Sequence, residues 1–293
     1  MDTIKYRAFL ETIAQGSLTK AAQVLGYSQP GISHMIRALE QEFGFALLRR
    51  SRDAVFPTEN AEKLLPYLRQ IERGERSVLE LAAKISGAEE GVVRIGAFYS
   101  VSMHWLPKVI GNFSQKYPGI SIQLSEGNHG EVWRWLVQGE IDLGFFSAPA
   151  PEGFDFFPIA EDPVMAVLPQ NHPLCALEKI PARLLVKEPF LSPCEGADEE
   201  VERVIREEGL DQPQIRYRIK GDETIFAMVE AGLGVTLMSR LLAEKTRAEV
   251  QIRPLEQRHC RVLGIAAQPG EQLSPAARRF LEAAAEQLQR EYS

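Results

Sequence analysis

The last two-thirds of the chain most constrain its fold. From residue 92 short apolar segments alternate with helical ones: VVRIGAF (92–98), a helix ending before Pro118, ISIQLSEG (120–127), another helix, then IDLGFFS (141–147). The rhythm returns with PFLSP (189–193), a helix, IRYRIKG (215–221), a helix starting near Asp222, and GVTLMS (234–239). Strands separated by helices read as crossover units, so this order predicts α/β architecture with mostly parallel strands. Between the two halves, FFPIAEDPVMAVLPQNHPL (156–174) reads as strands crossing from one unit to the other. Two α/β lobes with a cleft between them follow, and such clefts take small molecules where strands end and helices begin.

The cleft candidates are therefore Ser100 and Ser102 after the first strand, Asn128 and His129 after the second, and Phe146 and Ser147 after the third. Ser192, Pro193 and Thr224 join them from the second lobe. Hydroxyls and free amides at helix starts suit an anion, so a small carboxylate or amino-acid-related metabolite is the first expectation. Each Ser is equally suited to be a plain helix cap. Asp222 and Glu223 would repel an anion if they faced inward, and would stabilise their helix start if they faced out.

Residues 1–57 have a different grammar. Ile4, Ala8, Phe9 and Ile13 recur at helical spacing; Ser17 can cap a second helix carrying Leu18, Ala21, Ala22 and Leu25, and Gly26 can close it in the left-handed conformation. In GYSQPGISHMIRALE (26–40) Ser28 caps a third helix and Pro30 is tolerated in its first turn. Ile32, Ile36, Leu39 and Phe43 form its inner face, while Gln29, Ser33 and Arg37 form an outer stripe with no carboxylate before Glu40. Two short helices joined by a tight turn form a helix-turn-helix. After it, ALLRRSRDAVFPT (46–58) alternates like a β-hairpin bearing Arg49, Arg50 and Arg52.

Residues 58–87 carry no strand signal. Leu64, Leu68, Ile71, Glu75, Val78, Ala82 and Ile85 follow a 4-3-4-3 spacing that suits a helix paired with its own copy, or packed on the chain's own core. SGAEEG (86–91) then reads as a linker.

Charge separates the same regions. The whole chain carries a net charge of −7, yet residues 1–52 hold seven basic and four acidic side chains. Screening confines electrostatics to about 8–10 Å at physiological salt, so the local excess decides what the N-terminal region can bind. No apolar run approaches a membrane span, and the first residues lack a signal-like apolar stretch, which suggests a cytoplasmic protein with no membrane partner. Cys175, Cys194 and Cys260 are widely spaced, with no CxxC or zinc pattern, so neither a disulfide framework nor a metal or other cofactor is expected.

The run Ala21-Ala22-x-x-Leu25-x-x-Ser28-Gln29-Pro30-x-Ile32-Ser33-x-x-Ile36-x-x-Leu39-Glu40 resembles the LysR-type transcriptional regulators almost position by position. PTENAEKLL (57–65) and MVEAGLGVTLMS (228–239) extend the likeness over nearly the whole chain. Departures are Gly31 where Ala is common, Leu48 where Phe usually precedes the wing, and Asn60-Ala61 in place of Ala-Gly. The resemblance implies an N-terminal winged helix-turn-helix (1–57), a long linker and dimerisation helix (58–87), and a two-lobed α/β effector domain of periplasmic-binding-protein type (88–293). Lobe I would span about 92–160 and 269–293, and lobe II about 161–268. It places Ser28, Gln29, Pro30, Ser33, His34, Arg37, Arg50, Arg52 and Thr58 near double-stranded DNA, with a small-molecule effector in the cleft. It further implies a homodimer that pairs again into a homotetramer.

Other classes fit less well. There is no Walker loop, GxSxG elbow or HExxH motif; the glycines of GLGVTLM follow a helix and precede a strand, opposite to a dinucleotide-binding turn. His129 with Glu126 or Glu131 could in principle act as an acid/base pair, but the five histidines are scattered. A solute-binding protein would not need the basic N-terminal region, and a redox role for Cys194 finds no resolving cysteine nearby in sequence.

Overall fold

Phe9, Ile32 and Leu39 are fully buried together and knot three short helices into one small core. The computed structural model describes residues 3–50, 54–85, 90–194 and 199–292, with the backbone alone for Arg50, Lys84, Glu199 and Glu271. The three helices are α1 (Thr3–Gln15), α2 (Leu18–Leu25) and α3 (Gln29–Phe43). The Ser17 hydroxyl accepts from the Lys20 amide at 3.4 Å, and Ser28 accepts from the Gly31 amide at 3.2 Å, as the caps require. Gly26 closes α2 at φ 72°, a conformation a side chain would strain. Next comes a two-stranded wing, β1 (Leu48–Arg50) antiparallel to β2 (Val55–Pro57).

Helix α4 (Glu59–Ile85) divides its apolar stripe in two. Leu64 and Leu68 pack on the N-terminal core beside Ala61 and Leu65, whereas Val78 and Ile85 are 67% and 80% exposed. The expectation of one continuous pairing stripe is thus corrected. Its first half is used within the chain, and its second half, widened by Leu79 and Leu81, lies open. A third face of α4 is ionic: Arg69 reaches Glu140 at 2.9 Å, Arg76 pairs with buried Asp142, and Glu80 accepts from the Val92 and Ala276 amides.

Lobe I contains β3 (Gly91–Ala97), α5 (Tyr99–His104), α6 (Leu106–Lys116), β4 (Ile120–Glu126), α7 (His129–Gln138) and β5 (Leu143–Ser147). The 15-residue β6 (Asp155–Pro169) then crosses to lobe II. There lie α8 (Ala182–Leu185), β7 (Phe190–Pro193), α9 (Glu199–Glu207), β8 (Ile215–Ile219), α10 (Asp222–Glu230), β9 (Thr236–Ser239), α11 (Arg240–Ala243) and β10 (Val250–Pro254). The return strand β11 (Cys260–Ala267) leads to α12 (Pro275–Tyr292), whose Phe280 and Ala284 pack on the lobe I sheet.

Two sequence expectations need correction here. Strands β3–β4, β3–β5 and β7–β8 are parallel, but β11 runs antiparallel to β5 and β6, and β9 and β10 run antiparallel to β6. The sheets are mixed because β6 and β11 each pass between lobes in opposite directions. Second, β11 pairs with β5 from Leu263 to Ala267, so the return to lobe I comes before residue 268.

Candidate functional site: an exposed helix and a cleft between lobes

On α3 the side chains of Gln29, Pro30, His34 and Arg37 are exposed, as is Ser28 at its cap. The Arg37 guanidinium leans back along the helix, with Nε donating to the Ser33 carbonyl at 3.2 Å and Nη2 to the Ser33 hydroxyl at 3.3 Å. Ser33 itself is only 8% exposed, so it orients Arg37 from beneath the stripe rather than belonging to the stripe. The first carboxylate of the helix is not on the open surface. Glu40 turns toward the wing, where its Oε1 accepts from the Leu47 and Leu48 amides at 2.8 and 3.3 Å.

Thr58 is occupied in the same way. Its hydroxyl donates to the Ala46 carbonyl at 2.8 Å and accepts from the Ala61 amide at 3.2 Å, which makes it the cap of α4. On the wing, Arg49 donates to the Pro57 carbonyl at 3.1 Å and stacks on Phe56. Arg50 lies in β1, its side chain outside the described atoms, and Arg52 lies outside the described residues. What remains is a solvent-facing helix stripe with Gln29 and His34 in its first two turns and one cation, Arg37, just past its middle.

The second site is a cavity of about 860 Å³ between the lobes. Ser100, Asn128, His129, Ser147 and Pro193 line it, from both lobes as the strand-end rule requires. The other four candidates are not in its wall. Ser102 is buried with its hydroxyl bonded to the Tyr99 carbonyl and the Glu126 carboxylate, because it points down the inner side of α5. Phe146 is buried behind the wall and supports His129 edge-on, with ring centres 5.2 Å apart. Ser192 is buried inside β7, and Thr224 is on the exposed side of α10.

Sequence reasoning missed the floor of this cleft, Arg261. Its guanidinium is buried, donates to Asp162 at 2.8 and 3.0 Å, to the hydroxyls of Ser100 and Ser239 at 3.1 and 2.9 Å, and pairs with Glu200. Its opposite face lies 4.9 Å from the Phe98 ring centre. Burial disfavours its charge, but Glu200 and Asp162 outweigh that and hold its pKa above the ordinary value. The partners lie up to 161 residues away in sequence, so no local motif marks them.

Carboxylates from both lobes line the cavity: Glu126 and Glu131 from lobe I, and Glu200, Asp222 and Glu223 from lobe II. Burial first, and then Glu200, Glu223 and Glu126, raise the Asp222 pKa to about 6 against the lowering effect of Arg261. Against them stand Lys220 on the rim and the already paired Arg261. The inward-facing alternative for Asp222 and Glu223 is therefore the observed one. At His129 the ring Nε2 lies 3.2 Å from the Ser147 carbonyl, while Glu131 closes the capping box of α7 with Asn128. Among the described residues no group of His, Cys, Asp and Glu is placed to hold a metal ion, and no helix is long and apolar enough to cross a membrane.

Comparison with known proteins gives the same division of the chain. The family model described as "LysR substrate binding domain" matches residues 86–289, and "Bacterial regulatory helix-turn-helix protein, lysR family" matches residues 5–62. The uncharacterized HTH-type transcriptional regulator YvbU of Bacillus subtilis (strain 168) is 29% identical over 289 residues, 98% of each chain. A point variant of full-length OxyR from Pseudomonas aeruginosa superposes with a TM-score of 0.80 at 23% identity, covering 99% of this chain and 98% of that one. The effector binding domain of QuiR, solved in complex with shikimate, gives a TM-score of 0.63 at 19% identity, covering 70% of this chain and 100% of that one.

Proposed function

The chain belongs to the LysR family of transcriptional regulators, and from that premise we propose that α3 reads a DNA major groove with Gln29 and Arg37 while Ser28, Pro30 and His34 lie against the backbone and base edges. It is an effector-controlled DNA-binding regulator and not an enzyme. The observation that carries the residue assignment is the exposed face of α3, from which Glu40 has been turned away to the wing amides. Gln can pair with an adenine edge and Arg with a guanine edge, each by two parallel hydrogen bonds. Ser33 acts through Arg37 and Thr58 through the start of α4; Arg50 and Arg52 are assigned to phosphates beside the groove.

One recognition helix covers few base pairs, so two copies are needed. The open half of α4, with Val78, Leu79, Leu81 and Ile85, supports a homodimer, and pairing of two dimers into a tetramer is the further assembly this reading implies. A DNA partner supports a cytoplasmic location. The small-molecule effector occupies the cleft between lobes, where binding one lobe arrangement more tightly than another shifts the population of DNA-binding geometries. Nuclease footprinting of the region upstream of the protein's own gene tests the reading. Two protected half-sites about one helical turn, or a multiple of it, apart are expected. A single protected half-site at saturating protein contradicts the paired arrangement, and no protection contradicts the assignment of α3.

A further inference from the structure

The charge in the cleft belongs to both lobes, and it has the same sign on each. Glu126 ends β4 in lobe I, while Asp222 and Glu223 open α10 in lobe II. They are close enough across the gap that Glu126 raises the pKa of Asp222. The Tyr99 hydroxyl of lobe I spans it, donating to Glu223 at 3.3 Å. Among the described residues no donor meets the Asp222 carboxylate, although it is half-buried and faces the cavity. A desolvated carboxylate without a donor is costly, and a cation set against it recovers that cost.

The cationic side chains of the wall do not balance this charge. Arg261 has its Nε, Nη1 and Nη2 groups committed to Asp162, Glu200, Ser100 and Ser239, and Phe98 covers one face. An incoming carboxylate would meet Asp162 and Glu200 already paired with that guanidinium and be repelled by both. Lys220 is exposed at the rim. Leu237, Met238 and Leu242 supply an apolar wall for the uncharged part of a ligand.

We propose that the effector is an organic cation, an amine or guanidine on an apolar or aromatic frame, whose charged head sits between Glu126 of lobe I and Asp222 and Glu223 of lobe II. This rests on the reading of the cleft as the effector site and names the chemistry that site takes. It also supplies the closing force. Carboxylates facing each other across an empty gap repel, and a cation between them draws both lobes inward, so the closed arrangement binds it more tightly than the open one.

Probes of opposite charge test this: benzylamine against benzoate on a shared phenyl ring, and agmatine and putrescine against shikimate, titrated calorimetrically into the full-length protein at low salt. A cation from this set should bind, and its affinity should fall tenfold or more in D222N/E223Q. Because the bound cation favours ionised Asp222, binding near pH 6 should release up to one proton, and affinity should weaken from pH 7.5 to pH 5. The carboxylates lining the cavity around that head are Glu126, Glu131, Glu200, Asp222 and Glu223, and Tyr99, His129, Cys194, Lys220 and Arg261 complete its titratable wall. Proton release is measured on the unmodified chain, so the test stands even if the double variant folds poorly. Tighter binding of benzoate than of benzylamine overturns the proposal, as does binding of no cationic probe or cation binding insensitive to both pH and D222N/E223Q. The functional reading fails separately: a cation that binds as described but leaves operator affinity unchanged preserves the ligand class and removes effector control.

Discussion

Ser28 and Glu40 bracket α3, and each has a definite job. Replacing Ser28 with Ala removes the acceptor for the Gly31 amide and should cost about 1 kcal/mol, seen as a lowered denaturation midpoint. Glu40→Ala leaves the Leu47 and Leu48 amides unpaired by side chain and should cost about 1.5–3 kcal/mol while loosening the wing. At Asp222 the folded pKa of about 6 lies above the ordinary 3.8, so the native state holds the proton more tightly than the unfolded chain. Stability is therefore lost as pH rises from about 4 to 6, and the cost persists above that range. Asp222→Asn should stabilise the ligand-free protein at pH 8 by on the order of 1 kcal/mol and leave it unchanged at pH 4, as read by thermal melts at the two pH values. Caps such as Ser17, Gly26 and Ser28 were legible in sequence because their partners lie within five residues. The cap at Thr58 was equally local, through the Ala61 amide, but the turns of Ser33, Ser102 and Ser192 were not legible, since which way a hydroxyl turns depends on packing that a local pattern does not encode. Arg261 was hidden for the opposite reason: all its partners are distant in sequence.

Helix α4 is the element where three demands meet. Its first half completes the N-terminal core, its ionic face docks on lobe I, and its second half leaves apolar side chains in solvent. A 4-3-4-3 spacing reports that a face is apolar without reporting what covers it, which is why the sequence suggested one uniform stripe. Asp142 anchors the docking face: buried, it accepts from Arg76 and from the Arg94 amide at 2.8 Å. Burial raises its pKa, the nearby Arg76 and Arg73 oppose that, and removing the carboxylate takes the hydrogen-bond partner of Arg76 and an attractive charge near Arg73. Asp142→Ala should destabilise the protein by about 3–5 kcal/mol in chemical denaturation, whereas an exposed ion pair such as Arg258–Glu161 should cost under about 1 kcal/mol when broken. On the open half, Val78→Asp together with Leu81→Asp should shift the assembled mass toward the monomer in light scattering while thermal stability at low concentration changes little; an unaltered mass would place the dimer contact elsewhere.

For the molecule as a whole, the alternating strands and helices of residues 92–293 were enough to predict two lobes and a cleft. Periodicity carries no strand direction, so the antiparallel returns of β6 and β11, and the place where the chain re-enters lobe I, emerged only from pairing. The charge asymmetry was readable as a total, but its concentration inside the cleft depends on folding β4, α9 and α10 against one another. The molecule combines an exposed, hydrogen-bonding helix face in its N-terminal region with a cleft between two lobes, and α4 docks on lobe I through its ionic face. Effector control of transcription needs the exposed stripe of α3 to discriminate DNA sequence. Fluorescence anisotropy with the footprinted operator and a scrambled duplex of equal length, at several salt concentrations, measures that discrimination directly. Gln29→Ala should weaken operator binding by about 1–3 kcal/mol with scrambled-duplex affinity nearly unchanged, and Arg37→Ala should weaken operator binding by a similar amount while also lowering the salt slope. Operator preference and salt slope that both survive the double substitution would contradict the account.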